Sequence, residues 1–359
     1  MATQTITETV AKTSSVPISI ETSVNHDKHQ YQYAGYLPVY DARQIPPLEE
    51  FAYEDPGLRA DPSKAALLGA PGAKFEELTP AIGTEVRGLQ LSSLDSKQRD
   101  ELALLTAERG VLVFHDQDFK DIGYEKQEQF GAHFGKLHIH QRGSQVAGHP
   151  YLLPVYRDFK AGASDQETDN HVSSVKWHSD MSYEINGAGI TTFLVLDTPG
   201  VGGDTLYLST VAAYEKLSPL FREKLEGLTA IHSGKEQYAG GQYAERYNRP
   251  PIETSHPVVR THPVTKSKSL YVNSLWTKRI EGLKQEESDF LLKFLTQHIE
   301  HGQDFHIRVK WTPGTVVIYD NRITQHSALR DFKVEEGTTR RHMLRITPQA
   351  ERPYFDPNV

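Results

Sequence analysis

The 359-residue chain contains no cysteine. Disulfides, zinc–thiolate sites, iron–sulfur clusters and thiol nucleophiles are therefore excluded, and any metal must be held by His, Asp, Glu or backbone oxygen. Long apolar runs are missing too: no stretch approaches the ~20 residues that a membrane-spanning helix needs. The first residues are Thr/Ser-rich without a basic segment or an apolar one, and they carry Glu8 but no Arg. They read as neither a secretory signal nor a transit peptide. A net charge of −8 gives no electrostatic reason to expect nucleic acid. The expectation is a cytoplasmic protein with neither nucleic acid nor membrane as a partner. A homo-oligomer is compatible with all of this.

What is present reads as one large domain. Residues 1–30 are small and polar with little periodicity and are expected to form a disordered extension. Residues 31–74 are rich in Tyr, Pro and Ala and are expected to wrap the outside of a domain spanning 75–359. Helix signals run from Ser96 to Gly110, from a Ser209 cap through Tyr214 and Leu217, and from Glu286 to His301. The last carries Phe290, Leu291, Phe294, Leu295 and Ile299 at helical spacing, read as a core-packing stripe. Strand signals are more numerous: Val111 to Phe114, Ile190 to Leu196, Thr205 to Leu208, Leu270 to Val272, Thr315 to Tyr319, and His342 to Thr347. Many short strands with helices at the flanks predict a mainly β (α+β) fold, a β-sandwich or jelly roll with helices outside. Two long polar stretches, 157–174 and 233–255, read as loops bordering a site.

Trp177-His178-Ser179-Asp180 holds a His and an Asp two apart, and Gln325-His326 supplies a distant second His. On a strand, residues i and i+2 share a face, so His178 and Asp180 can reach one ion and His326 can complete the set. Two histidines and one carboxylate on one face leave coordination positions open for small molecules, as in non-haem Fe(II) oxygenases. A lone H-x-D is more often structural than metal-binding. His138-Ile139-His140 is a competing pair at the same spacing, but it lacks a nearby carboxylate.

Arg341, Met343 and Arg345 alternate with His342, Leu344 and Ile346. On a strand this places two arginines on one face and a mostly apolar set on the other. If the arginine face is the solvent face, it needs no explanation. If it looks inward, the guanidiniums need anions, because an unpaired buried charge is very costly. The metal motif favours the inward reading, since an iron site that uses 2-oxoglutarate needs a carboxylate anchor at this distance from its last histidine.

These motifs, with Gly202-Gly203-Asp204-Thr205-Leu206, Phe134-Gly135-x-Leu137-His138-Ile139-His140 and His256-Pro257-Val258-Val259-Arg260-Thr261-His262-Pro263, resemble the taurine dioxygenase family of Fe(II)/2-oxoglutarate oxygenases. The likeness runs from about Phe75 to Thr347 and is greatest to the fungal alkylsulfonate branch. The resemblance implies a double-stranded β-helix in which His178, Asp180 and His326 bind Fe(II). It implies that Thr205 and Arg341 hold the distal carboxylate of 2-oxoglutarate, with O2 as the other co-substrate. It places Arg345 on the anionic end of a small organic substrate, with His140 and Tyr183 in the same pocket. Two positions depart from the taurine pattern: Gly143 stands where a Tyr is expected, and Ser174 where an Asn is expected. Those side chains meet the amine side of taurine.

The leading expectation is hydroxylation of an alkylsulfonate, giving sulfite and an aldehyde with succinate and CO2. The rivals are the same chemistry on a carboxylate or amino acid, a catalytically silent metal-binding protein, and a zinc hydrolase. The last would need a general base near the metal, and no motif supplies one.

Overall fold

The computed structural model describes residues 31–41, 43–141, 143–158, 176–236, 247–333 and 339–359, together with the backbone of Ile18 and Ser19. Ile18–Ser19 pairs with Val39–Tyr40. The rest of the 1–30 extension, Ser174 and the centres of the two expected loops lie outside the described residues.

Val111–Phe114 and Val316–Asp320 are near-continuous apolar runs, the pattern of strands covered on both faces. They lie side by side at the centre of a seven-stranded sheet. Its order is Lys74–Glu77, Thr84–Arg87, Val111–Phe114, Val316–Asp320, Ile190–Asp197, Arg340–Ile346, Leu152–Asp158. All pairings are antiparallel except that of Thr84–Arg87 with Val111–Phe114. On its outer face Leu112, Phe114, Leu194, Val316, Ile318, Leu344 and Ile346 pack with Leu102, Leu105, Phe130 and Phe134. Those residues belong to or follow the helices Ser96–Arg109 and Tyr124–Ala132. The first of these starts on a capping box between Asp95 and Gln98 and stops at Gly110, whose φ of 72° ends the helix.

The inner face meets a second sheet of three strands, His306–Val309, Thr205–Ser209 and Thr324–Ala328. Val111, Val113, Val195, Val317, Tyr319 and Met343 from the large sheet pack with Tyr207, Ile307, Val309 and Trp311. A further three-stranded sheet, Thr229–Ser233, Glu253–Pro257 and Thr277–Ile280, packs with the helix Gln285–Glu300. The chain is β-rich, with more strands than helices, and the site lies where the two facing sheets meet.

Several sequence expectations need correction. Only Lys268–Leu270 is a strand in the Leu270–Val272 region. Arg157 and Glu253–Ser255, expected in loops, lie in strands that extend the sheets. The helix Gln285–Glu300 buries Ser288, Leu295 and Ile299, while Phe290 is 75% exposed and Phe294 42%. The periodic stripe is wider than the surface available to cover it.

Candidate active site

His178 and His326 form an antiparallel bridge, each backbone N–H donating to the other's carbonyl at 3.2 and 2.9 Å. The bridge is isolated, and the chain turns directly after it, with Met181 at a φ of 47°. His178 and Asp180 therefore do not share the face of a regular strand, as their spacing suggested. The turn is held by the segment ahead of His326: Ser179 Oγ donates to the Thr324 carbonyl at 2.8 Å, and the Asp180 N–H donates to Asn321 Oδ1 at 2.9 Å.

The result is the expected triad. His178, Asp180 and His326 offer ligand atoms that all lie within 4.8 Å of one another. Both imidazole Nε2 atoms are 3.9 Å from Asp180 Oδ1. His178 Nδ1–H donates to the Lys176 carbonyl at 2.7 Å, which leaves its Nε2 lone pair for a ligand. Asp180 Oδ2 accepts from the Tyr319 hydroxyl at 2.6 Å, and Oδ1 pairs with Arg345. Burial alone would raise the Asp180 carboxyl; Arg345, the two imidazoles and Tyr319 outweigh it and hold the group well below the usual carboxylate range. Burial, with the neighbouring His178, pushes His326 down to about 3, so its imidazole is neutral. Two imidazoles and one ionised carboxylate are a donor set that fits Fe(II).

The arginine face of Arg340–Ile346 is the inner one. Arg341 and Met343 are buried, and Arg345 reaches Asp180. Arg341 has Arg157 opposite it in the sheet register and feels Arg330 as well. Burial first, then these two guanidiniums, push it down to about 10. Its Nε donates to the Gly203 carbonyl at 3.4 Å, and it has no carboxylate partner among the described residues. Gly203 has a φ of 73°, and a Cβ there would crowd the Phe332 ring at 3.2 Å. Thr205 is buried on the facing sheet, its Oγ1 accepting from the Trp311 indole N–H at 3.2 Å.

Tyr183 is buried edge-on to Trp276, with ring centroids 4.8 Å apart. Its hydroxyl has no hydrogen-bond partner among the described residues. His140 is half-buried, its ring 6.2 Å from that of His138. His138 is committed elsewhere: its Nε2 lies 3.1 Å from Glu184 Oε1 and 2.7 Å from Arg249 Nη2, all three side chains being buried. The first His of the competing His-x-His pair is thus tied to Glu184 and Arg249.

Sequence reasoning missed Tyr319 and Asn321, which hold Asp180, and the Arg157 and Arg330 guanidiniums around Arg341. The signal was there in part. Asp320-Asn321-Arg322 is an abrupt polar run at the end of an all-apolar strand, just ahead of His326.

A β-rich fold with this triad and an inward arginine strand describes a metal-dependent oxygenase that takes an anionic co-substrate. Comparison with known proteins agrees. Residues 74–347 match the family described as taurine catabolism dioxygenase TauD, TfdA family. The chain is 44% identical to the Penicillium expansum alpha-ketoglutarate-dependent dioxygenase cnsP, over 89% of this chain and 87% of the relative. It is 42% identical to the alpha-ketoglutarate-dependent sulfonate dioxygenase of Saccharomyces cerevisiae, over 92% and 80%. A solved taurine dioxygenase from Burkholderia xenovorans superposes with a TM-score of 0.65 at 28% identity, covering 80% of this chain and 94% of that one. The chain belongs to the TauD/TfdA family and is an Fe(II)- and 2-oxoglutarate-dependent dioxygenase. No helix among the described residues is long and apolar enough to cross a membrane.

Proposed function

We propose that this dioxygenase acts on a small alkylsulfonate, on a double-stranded β-helix formed by the two facing sheets. His178, Asp180 and His326 hold Fe(II), which when bound activates O2 against 2-oxoglutarate. Arg341 and Thr205 fix the distal carboxylate of 2-oxoglutarate, a planar anion that a guanidinium can hold through two hydrogen bonds. Arg345 takes the sulfonate, with His140 and Tyr183 around the remainder of the substrate. One oxygen atom enters the C–H bond next to sulfur and the other enters succinate, with loss of CO2. The α-hydroxysulfonate then breaks its C–S bond to give an aldehyde and bisulfite, the hydroxyl proton leaving as the carbonyl forms.

The observation that carries this reading is the second inward arginine. Arg345 is half-buried beside the triad, and its buried Nε has no partner among the described residues. The yeast relative named a sulfonate dioxygenase points to the same class of anion. Gly143 and the Ser174 position lack the side chains expected to meet an ammonium, so simple or longer alkylsulfonates should outperform taurine. The test is sulfite release and succinate formation across a panel of alkylsulfonates, taurine and matched carboxylates. Iron-dependent sulfite from the alkylsulfonates supports the proposal. Succinate driven by a carboxylate or amino acid, with no sulfite from any sulfonate, overturns it.

A further inference from the structure

The largest fully buried side chains of this protein include two arginines, Arg260 and Arg322, neither of which touches the triad directly. Arg322 is saturated with anions. Its Nε and Nη2 hold the two oxygens of Asp320 at 2.8 and 2.7 Å, and its Nη1 meets both Asp55 and, at 3.3 Å, Glu351. Arg260 pairs with the other Glu351 oxygen. His262 Nδ1 accepts from the N–H groups of Val264 and Thr265, so its Nε2 carries the proton that reaches Asp320 Oδ2 at 3.1 Å. Three carboxylates and two guanidiniums are thus knotted together, all buried except the partly exposed Glu351. Removing one partner from such a set is strongly destabilising, because the other is left buried and uncompensated.

The knot lies inside the segment that builds the metal centre. Asp320 is flanked by Tyr319, whose hydroxyl holds Asp180 Oδ2, and by Asn321, whose Oδ1 holds the Asp180 N–H. The Thr324 hydroxyl donates back to the Asp320 carbonyl at 2.7 Å, and the Thr324 carbonyl holds Ser179. Two residues later comes His326. Where Arg322 sits therefore sets where Tyr319, Asn321 and His326 sit. Two of its three carboxylates come from outside the family-matched span of 74–347: Asp55 from before it and Glu351 from after it. Asp55 is itself fixed, its Oδ1 accepting from the Gly57 N–H at 2.7 Å as a helix cap.

We propose that Asp55 and Glu351 are positioning residues for the metal centre, acting through Arg322 on the 319–326 segment. The flanking segments are then parts of the active site's framework, in addition to covering the core. This rests on the triad being the metal site.

The test is titration of the full-length protein with Co(II), followed by its visible d–d absorption, alongside thermal unfolding. His178→Ala checks the triad itself: if the wild type binds Co(II) and His178→Ala does not, that reading stands. Asp55→Asn and Glu351→Gln should then weaken Co(II) binding about tenfold or more, the range seen when outer partners of metal ligands are removed, and should alter the band. Glu50→Gln, which removes an exposed carboxylate paired with Arg352, should leave both readouts unchanged. Should Asp55→Asn fail to fold, Glu351→Gln decides, since it breaks the longer of the two contacts to Arg322 Nη1. Unchanged Co(II) affinity and band in the folded variants, whatever their melting temperature, overturn the inference. Co(II) binding that survives His178→Ala overturns the triad assignment instead.

Discussion

Arg322 and Arg341 are both buried guanidiniums, and what surrounds them is opposite. Arg322 meets three carboxylates. Burial would lower it, but Asp320, Asp55 and Glu351 outweigh that and raise it well above its ordinary range. Arg341 meets a backbone carbonyl and two other guanidiniums, and it is pushed down to about 10. A buried cation enclosed by its own anions is a fastener. A buried cation enclosed by other cations is costly until an anion arrives. The same residue type thus marks framework in one place and, under the proposed function, a binding site in the other, and the surroundings tell the two apart.

The largest difference should appear in stability. Arg322→Met leaves Asp320, Asp55 and Glu351 buried without their shared partner, and should cost roughly 3–5 kcal/mol. Arg341→Met removes a cation the fold holds at a loss, and should change stability by no more than about 1 kcal/mol in either direction. Urea unfolding of the two variants side by side makes the comparison. Equal losses would mean that Arg341 is as structural as Arg322.

Cations that can lose their charge sharpen the contrast. Burial, as the leading cause, pushes both His256 and His342 down to about 4 from the ordinary 6.5. His342 Nε2–H donates to the Tyr36 carbonyl at 3.1 Å, and its Nδ1 faces the Tyr31 hydroxyl at 2.8 Å. A group whose folded pKa lies below its unfolded value contributes stability that is complete above the unfolded pKa and is lost as pH falls towards the folded one. The unfolded chain binds the extra protons in this window, so stability should fall between pH 6.5 and 5 by roughly 1–2 kcal/mol per imidazole. Urea midpoints measured across that window check the slope. A flat profile would mean that these histidines take up protons in the fold as readily as in the unfolded chain.

The smallest effect carries the comparison to apolar residues. Phe290 and Leu295 share one helix and one periodic pattern, yet Phe290 is exposed and Leu295 is buried. Phe290→Ser should change stability by less than about 0.5 kcal/mol, while Leu295→Ala should cost about 2–5 kcal/mol. Thermal unfolding that ranks the two in the other order would show that the helix face has been misassigned.

What could be read from the sequence follows the same division. The strand period of Arg340–Ile346 put both arginines on one face, and the metal motif chose the inner one. The capped helix Ser96–Arg109 and the apolar strands of the large sheet were legible because each depends on residues a few positions apart. Asp180's turn was not, because it is set by Asn321 and Thr324 from a distant segment. The knot around Arg322 was hidden for the same reason: Asp55 and Glu351 are brought to it only by the finished fold. Phe290 misled because helical spacing reports a face without reporting whether anything covers it.

The central claim is that Arg341 is buried in order to receive the carboxylate of 2-oxoglutarate, and one measurement tests it most directly. Under anaerobic conditions the dissociation constant of 2-oxoglutarate is determined for the Fe(II)-loaded wild type and for Arg341→Met, from the metal-to-ligand charge-transfer band. Fe(II) affinity is measured in parallel. Loss of a buried charge-assisted pair of about 2–5 kcal/mol predicts 2-oxoglutarate binding weaker by roughly 30-fold or more, with Fe(II) binding unchanged. Equal 2-oxoglutarate affinity in the two proteins would contradict the account.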